Sequence, residues 1–208
     1  MRTTMFCDQC QEAAGGTGCT RVGVCGKQPD TAAIQDLLIY VTRGLAAVTT
    51  RLRTEDTPVP RNVNHRVTMN LFTTITNANF DDRALTARIV ATLEAKNELL
   101  AQVKDTAGLP EAAFWRGGEA DFAQKASEVG LLAVRDEDVR ALRELILYGL
   151  KGLSAYTRHA NMLGKEDEEL DAFLQKALAA TLDDGLSADA LTALVLETGR
   201  FGVRGMAL

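Results

Sequence analysis

All four cysteines of this 208-residue chain lie within one short N-terminal stretch, and no cysteine follows position 25. They are Cys7, Cys10, Cys19 and Cys25, in the spacing C-x2-C-x8-C-x5-C. Thiols this close in sequence belong to one local structure, so the stretch predicts a single site. In a reducing compartment such thiols stay free, bind metals or act in catalysis.

The spacing favours an iron–sulfur cluster at this site. Two cysteines three residues apart can place both sulfurs on one metal atom or one cluster edge, and four thiolates are what a cubane cluster requires. The segment 13–18 contains only small side chains, so its backbone N–H groups can approach negatively charged sulfur. Three nearby basic residues could offset the cluster's charge: Arg2, Arg21 and Lys27.

Three other interpretations of the cysteines remain open. A structural zinc site usually pairs two short ligand spacings, whereas the last gap here is five residues. A disulfide pair is disfavoured in a reducing compartment. A redox-active dithiol at Cys7 and Cys10 would leave Cys19 and Cys25 without a role. The spacing alone therefore ranks a cluster first and zinc second.

Beyond residue 30 the apolar residues recur every three to four positions, which predicts amphipathic helices. Asp30 and Ser187 are the predicted N-caps of the first and last helices. No segment shows the alternation of a strand, so the predicted fold class is all-α. The expected helices begin near 31 and end before Thr57, then cover about 62–78, 82–106, 136–163, 166–182 and 187–199, with a short helix near 111–115.

Two of these helices share a sequence repeat. Residues 36–47 align with residues 144–155, and acid, aliphatic residues, Tyr, base, Gly and Leu recur in the same order. Since Gly weakens a helix interior, Gly44 and Gly152 at equivalent positions predict close helix packing. We expect two three-helix bundles related by this repeat. The predicted division is a cluster-binding segment at 1–30, a first bundle at 31–107, a connection at 108–135 and a second bundle at 136–208.

Charge and hydropathy argue against two classes of partner. The net charge is −5 and the isoelectric point is near 5.2, which disfavours nucleic acid because phosphate binding needs a basic face. The longest apolar runs, such as 37–41, are far shorter than the roughly 20 residues of a membrane-spanning helix. No signal-peptide pattern follows Arg2. We therefore expect a cytoplasmic protein that binds neither nucleic acid nor membrane.

Five segments of the chain carry a recognisable pattern: Met5–Glu12, Gly16–Cys19, Gly23–Lys27, Gln35–Tyr40 and Leu196–Gly202. The cysteine segment among them resembles the N-terminus of the hybrid cluster protein family, also called prismane proteins or hydroxylamine reductases. The similarity continues into the first long helix and extends almost to the end of the chain.

The resemblance implies two metal centres in the full-length relatives. A 4Fe-4S cluster, or a 2Fe-2S cluster in some members, would be held by Cys7, Cys10, Cys19 and Cys25, and the short gaps resemble the 4Fe-4S subgroup. A second, hybrid iron–sulfur–oxo cluster would be held by His, Glu, Cys and Lys ligands further along. No cysteine follows Cys25, so that substrate site is expected only in a missing C-terminal part.

The resemblance implies an electron-transfer domain of a hydroxylamine reductase, which reduces hydroxylamine to ammonia or acts on nitric oxide. The expected partners are the missing C-terminal domains or another chain, an electron-donor protein, and a second copy of this chain. The alternative function is a non-catalytic helical binding or assembly module. Reductase activity cannot be assigned to residues of this chain, because the ligands of the substrate site are absent from it.

Overall fold

The computed structural model describes residues 2–208, and helices make up nearly all regular structure in that range. The only other pairing found there is an isolated bridge between Cys7 and Cys19. The all-α prediction is therefore confirmed. In chain order the helices are α1 (Pro29–Thr54), α2 (Arg61–Thr73), α3 (Asp82–Leu100), α4 (Glu111–Phe114), α5 (Glu119–Glu128), α6 (Glu137–Met162), α7 (Glu168–Ala180) and α8 (Ala188–Ala207).

Helix α1 begins one residue before its predicted cap. Pro29 lies at the start of the helix after Gln28, and its fixed φ suits the first helical position. Asp30 lies in the first turn, so the prediction that it caps the helix was wrong. Its carboxylate instead accepts a hydrogen bond of 2.9 Å from the Arg2 backbone N–H.

Side-chain caps define the starts of several other helices. Ser187 accepts a hydrogen bond from the Ala190 N–H, which confirms it as the cap of α8. Asp81 and Asp136 cap α3 and α6 in the same way. Helices α2 and α3 both end about five residues earlier than the sequence pattern predicts, since polar turns replace their last turns.

The predicted connection at 108–135 contains more helix than expected. The short helix near 111–115 is present as α4, but α5 was not predicted. It has only two buried apolar residues, Phe122 and Ala126, four positions apart, and they join the core around α1. Such a short apolar pattern is too weak to identify a helix without its packing partner.

Helix α8 continues past its predicted end at residue 199 to Ala207. A Cβ at Gly205 would lie 2.7 Å from a Leu153 methyl group on α6, so glycine permits the close approach of the two helices. Phe201 stacks on Phe173 of α7 with ring centroids 3.8 Å apart. Packing thus extends a helix that its glycines alone would end.

The repeated helices α1 and α6 each pack against several other helices. Helix α1 packs on α3 and α7, while α6 packs on α8 and α2. The main hydrophobic core includes side chains from both predicted bundles, so the division into bundles at 31–107 and 136–208 stays a prediction.

The two glycines of the repeat have different surroundings. A Cβ at Gly44 would lie 2.2 Å from the Ala112 carbonyl oxygen, so α1 and α4 are in close contact there. A Cβ at Gly152 would meet no atom of the described residues within 4 Å. The close-packing prediction is therefore confirmed at Gly44 and wrong at Gly152.

Across residues 2–208, no helix has the combination of length and hydrophobicity that a membrane crossing requires.

Candidate functional site

Cys7 and Cys19 are brought together by a short antiparallel backbone pairing. The Cys7 N–H donates to the Cys19 carbonyl at 3.1 Å, and the Cys19 N–H donates to the Cys7 carbonyl at 2.8 Å. Met5 extends the pairing through a 3.0 Å bond to the Thr20 carbonyl. Residues paired in this way have their side chains on the same face. The pairing therefore places two of the four predicted ligands side by side.

The glycines between Cys10 and Cys19 reverse the chain direction. Gly15, Gly16 and Gly18 have φ values of 64°, 70° and 147°, which side chains rarely adopt. A Cβ at Gly18 would also lie 2.8 Å from the Phe6 ring. Gly18 therefore lets the Phe6 ring pack against the loop one residue before Cys19.

A second tight turn presents Cys25. The Gly23 N–H donates to the Lys27 carbonyl and the Gly26 N–H donates to the Gly23 carbonyl, both at 2.8 Å. A Cβ at Gly23 would lie only 3.0 Å from the Cys25 sulfur. Glycine at position 23 thus leaves space next to this thiol.

The four thiols span a gradient of burial. Cys19 is buried, Cys7 and Cys10 are half-buried, and Cys25 is exposed. All four are free thiols in the structure. The site therefore lies at the surface of the protein, with one cysteine anchored in the interior.

Two hydrogen-bond donors approach the sulfur atoms. The Ala14 N–H lies 3.5 Å from the Cys19 sulfur, and the Lys27 Nζ lies 3.8 Å from the Cys7 sulfur. Lys27 is only 2% exposed, so its positive charge acts where water screens it little. This contact agrees with the prediction for Lys27. Arg2, by contrast, donates to the Ala123 carbonyl instead of approaching a cysteine.

Within residues 2–208, no group of three or more His, Cys, Asp or Glu side chains is arranged to hold a single metal ion. Whether the site suits a metal group is therefore judged from the chemistry of the side chains and backbone groups that it presents. Four thiols on one glycine-rich loop, with a backbone N–H and a buried ammonium group beside two of them, suit a polynuclear anionic cluster. Each iron of a cubane takes one cysteine, so the thiols surround the cluster and need not meet at one point.

The segment between Cys7 and Cys10 is held by residues far along the chain. The Lys151 ammonium group on α6 donates to the Gln9 side-chain oxygen at 2.9 Å and to the Thr74 carbonyl at 3.1 Å. The Thr76 hydroxyl donates to the Gln9 carbonyl at 3.0 Å. Sequence reasoning missed these positioning residues. The one available signal was Lys151, the basic position of the repeat.

Tyr148 and a cavity border the same segment. Partial burial and, next, the nearby Cys10 raise the pKa of Tyr148 above its ordinary value. A cavity of about 180 Å³ lies beneath the loop. On the side of the loop, the cavity is lined by Cys7, Asp8 and Gln9. On the side of the helices, it is lined by Asp36, Arg43 and Glu144.

Comparison with known proteins identifies a family and several relatives of the chain. A sequence profile described as "Prismane/CO dehydrogenase family" matches residues 5–208. A hydroxylamine reductase from Desulfovibrio desulfuricans is 56% identical over 209 aligned residues, which cover 100% of this chain and 38% of the relative. Hydroxylamine reductases from Clostridium perfringens and Desulfitobacterium hafniense are 52% and 50% identical, each over 99% of this chain and 38% of their own length. This chain therefore spans well under half the length of these relatives.

Proposed function

The chain belongs to the prismane/CO dehydrogenase family, and on that premise we propose that it is an iron–sulfur electron-transfer domain. We propose Cys7, Cys10, Cys19 and Cys25 as the ligands of a 4Fe-4S cluster, in preference to 2Fe-2S. The observation that carries the proposal is the cysteine loop itself, with buried Lys27 beside Cys7.

When bound, such a cluster supplies a one-electron redox centre. The residues of the chain tune and position it. The Ala14 N–H and the Lys27 ammonium group would stabilise the added negative charge of the reduced state, because donors to cluster sulfur raise the potential. Lys151 and Thr76 hold the segment between the first two ligands against the helical scaffold. Exposed Cys25 favours electron exchange with a partner at the surface.

We propose that the electrons pass to a reductase centre outside these 208 residues. In the relatives, about three fifths of the polypeptide lies beyond the region that aligns with this chain. Reduction of hydroxylamine to ammonia and water consumes two electrons and two protons, so a one-electron centre would act twice in each turnover. A hybrid cluster in that further polypeptide, a nitric oxide substrate, an electron-donor protein and a cytoplasmic location belong to the same proposal.

Anaerobic reconstitution followed by iron and sulfide analysis tests the cluster. We expect close to four irons and four sulfides per chain, with an electron paramagnetic resonance signal on reduction. Serine at all four cysteine positions should abolish both, while the circular dichroism of the helices persists. A preparation that binds zinc and contains no sulfide would overturn the proposal.

An exposed apolar surface favours a second candidate, a helical assembly module. On α6 the exposed residues Leu145, Tyr148 and Tyr156 follow helical spacing, and on α8 Leu196, Val203 and Met206 do the same. Solvent-exposed apolar stripes of this kind mark interaction surfaces. We propose that their partner is the polypeptide that follows this region in the relatives, or a second copy of this chain.

Gel filtration separates the two candidates. A stable oligomer that persists after all four cysteines are replaced by serine, but dissociates in Leu196→Glu, supports assembly through α8. A monomer that binds iron and sulfide supports electron transfer alone.

A further inference from the structure

The sequence repeat brings two acids and two bases together between α1 and α6. The acidic positions are Asp36 and Glu144, and the basic positions are Arg43 and Lys151. Arg43 and Glu144 form an ion pair of 3.6 Å that joins the two helices. Lys151 is 5% exposed and reaches Gln9 in the cysteine loop. We call these four residues the charge quartet.

Asp36 differs from the other three members in lacking a bonding partner. Only burial and neighbouring charges act on its carboxylate, and no hydrogen bond to it is found from any residue in 2–208. The carboxylate borders the cavity beneath the loop, close to Gly130. The Asp36 side chain is half-buried. A partly desolvated carboxylate without a protein partner is costlier to ionise than one in water, so it takes up a proton more readily.

The cavity connects this acid to the proposed cluster. Its wall is shared by Asp36 and Glu144 on the helices and by Cys7 and Asp8 on the loop. A volume of about 180 Å³ has room for several water molecules. Water there would give Asp36 a route for protons next to the redox site.

We propose that Asp36 takes up one proton from solvent when the cluster is reduced, and releases it when the cluster is oxidised. This inference rests on the proposed electron-transfer function. An electron from the donor protein would add one negative charge to a cluster held by the four cysteines. The proton comes from water in the cavity and converts the Asp36 carboxylate to a neutral carboxylic acid, so the charge of this region is unchanged.

The charges around Asp36 suit a proton that moves near neutral pH. Burial raises the pKa of Asp36 to about 7, with a further contribution from Glu144, whereas the nearby cations oppose the rise. Another negative charge on the cluster would raise that pKa further. Burial also raises the pKa of Glu144, but its pairing with Arg43 opposes the rise. The charged groups that act on these two acids are Lys27, Arg43, Lys151 and Asp8. Arg140 and Arg143 of α6 also line the cavity that the two acids border.

Redox titration at several pH values tests the proposal. The midpoint potential of the anaerobic holoprotein, whose iron and sulfide content is measured first, should fall with rising pH around neutrality. Since tenfold in equilibrium is about 59 mV for a one-electron couple, full coupling gives about 59 mV per pH unit. Asp36→Asn should remove this slope. Asp30→Asn, which removes a charge earlier on the same helix, should retain it.

If Asp36→Asn fails to fold, a second measurement still tests the proposal. The reduced-minus-oxidised infrared difference spectrum of the wild-type protein should contain a protonated-carboxyl band, and Asp36→Glu should shift that band. A pH-independent potential in the wild-type protein, or equal slopes in Asp36→Asn and the wild type, would overturn the proposal. A chain without iron and sulfide would overturn the proposed function as well, and the initial analysis distinguishes that result.

Discussion

At the scale of single residues, Lys27 links the scaffold to the chemistry of the site. Its ammonium group is buried and lies 3.8 Å from the Cys7 sulfur. Arg21 is closer in sequence to Cys19 than Lys27 is, but its side chain is exposed, so water screens its charge. The sequence identified both as candidates, and only their different burial separates them.

We expect Lys27→Gln to lower the midpoint potential of the cluster, because the reduced state loses a charged hydrogen-bond donor. A net hydrogen-bond contribution of about 0.5–1.5 kcal/mol corresponds to a shift of about 20–60 mV. Redox titration of the anaerobic protein measures it. Arg21→Gln is the control and should shift the potential much less. Equal shifts in the two variants would contradict the assigned role of Lys27.

Gly18 is the second residue whose environment leads to a prediction. Alanine there would combine a disfavoured φ of 147° with a contact of 2.8 Å to the Phe6 ring. We expect Gly18→Ala to move Cys19 and to speed the release of iron to a chelator. Gly16→Ala has a disfavoured φ of 70° but no neighbour within 4 Å among the described residues, so it should release iron more slowly than Gly18→Ala.

At the scale of helices, the repeat specifies equivalent positions but not equivalent environments. Gly44 on α1 faces the Ala112 carbonyl, whereas Gly152 on α6 faces open space in the part of the chain that the structure describes. The difference arises because α4 packs on α1. Two identical residues in similar helices can thus have different roles.

This difference predicts opposite effects of one substitution. Gly44→Ala should destabilise the fold by about 1–3 kcal/mol, because its methyl group overlaps the backbone of α4. Gly152→Ala should stabilise it by about 0.5–1 kcal/mol through helix propensity. Urea unfolding of the two variants, followed by circular dichroism, measures both. Loss of stability in both variants would show that α6 is packed at Gly152 after all.

At the scale of the whole molecule, ionisable side chains connect the last two helices. Arg204 on α8 forms an ion pair with Asp167, the cap of α7, and donates to it at 3.0 Å. Asp171 is 3% exposed, and one of its carboxylate oxygens has no partner among the described residues. Burial raises the pKa of Asp171 to about 6.

Asp171 should make the folded state less stable as pH rises. With a folded pKa of about 6 against an ordinary 3.8, the native state binds more protons than the unfolded state between these values. Stability therefore falls as pH rises through this window, and the loss is complete above it. We expect the stability gained by Asp171→Asn to be larger at pH 8 than at pH 5.5.

Unfolding of anaerobic protein at the two pH values measures this effect. Asp167→Asn is the control. The pairing with Arg204 and the Leu170 N–H outweigh burial and lower the pKa of Asp167, so this residue is ionised at both pH values. Asp167 contributes only weakly to the raised pKa of Asp171, so the effect of Asp167→Asn should depend on pH much less than the effect of Asp171→Asn. A gain in Asp171→Asn that does not depend on pH would contradict the prediction.

Much of this protein could be predicted from local sequence patterns. Helical periodicity identified the all-α class and most of the long helices, since that signal depends on neighbouring residues alone. It missed α5 and ended α8 too early, because Phe122, Ala126 and Gly205 take their roles from helices distant in sequence. The four cysteines were found for the same local reason, and their role as ligands stays a prediction.

The sequence by itself determined the helical class, the one cysteine-rich loop and the repeat of acid and base. Each of these is encoded within a few adjacent residues or turns. Tertiary structure alone decided that Lys27 is buried beside Cys7, that Lys151 reaches Gln9 across 142 positions, and that Asp36 borders the cavity without a bonding partner. Burial and contact depend on where distant segments meet, and no local pattern contains that information.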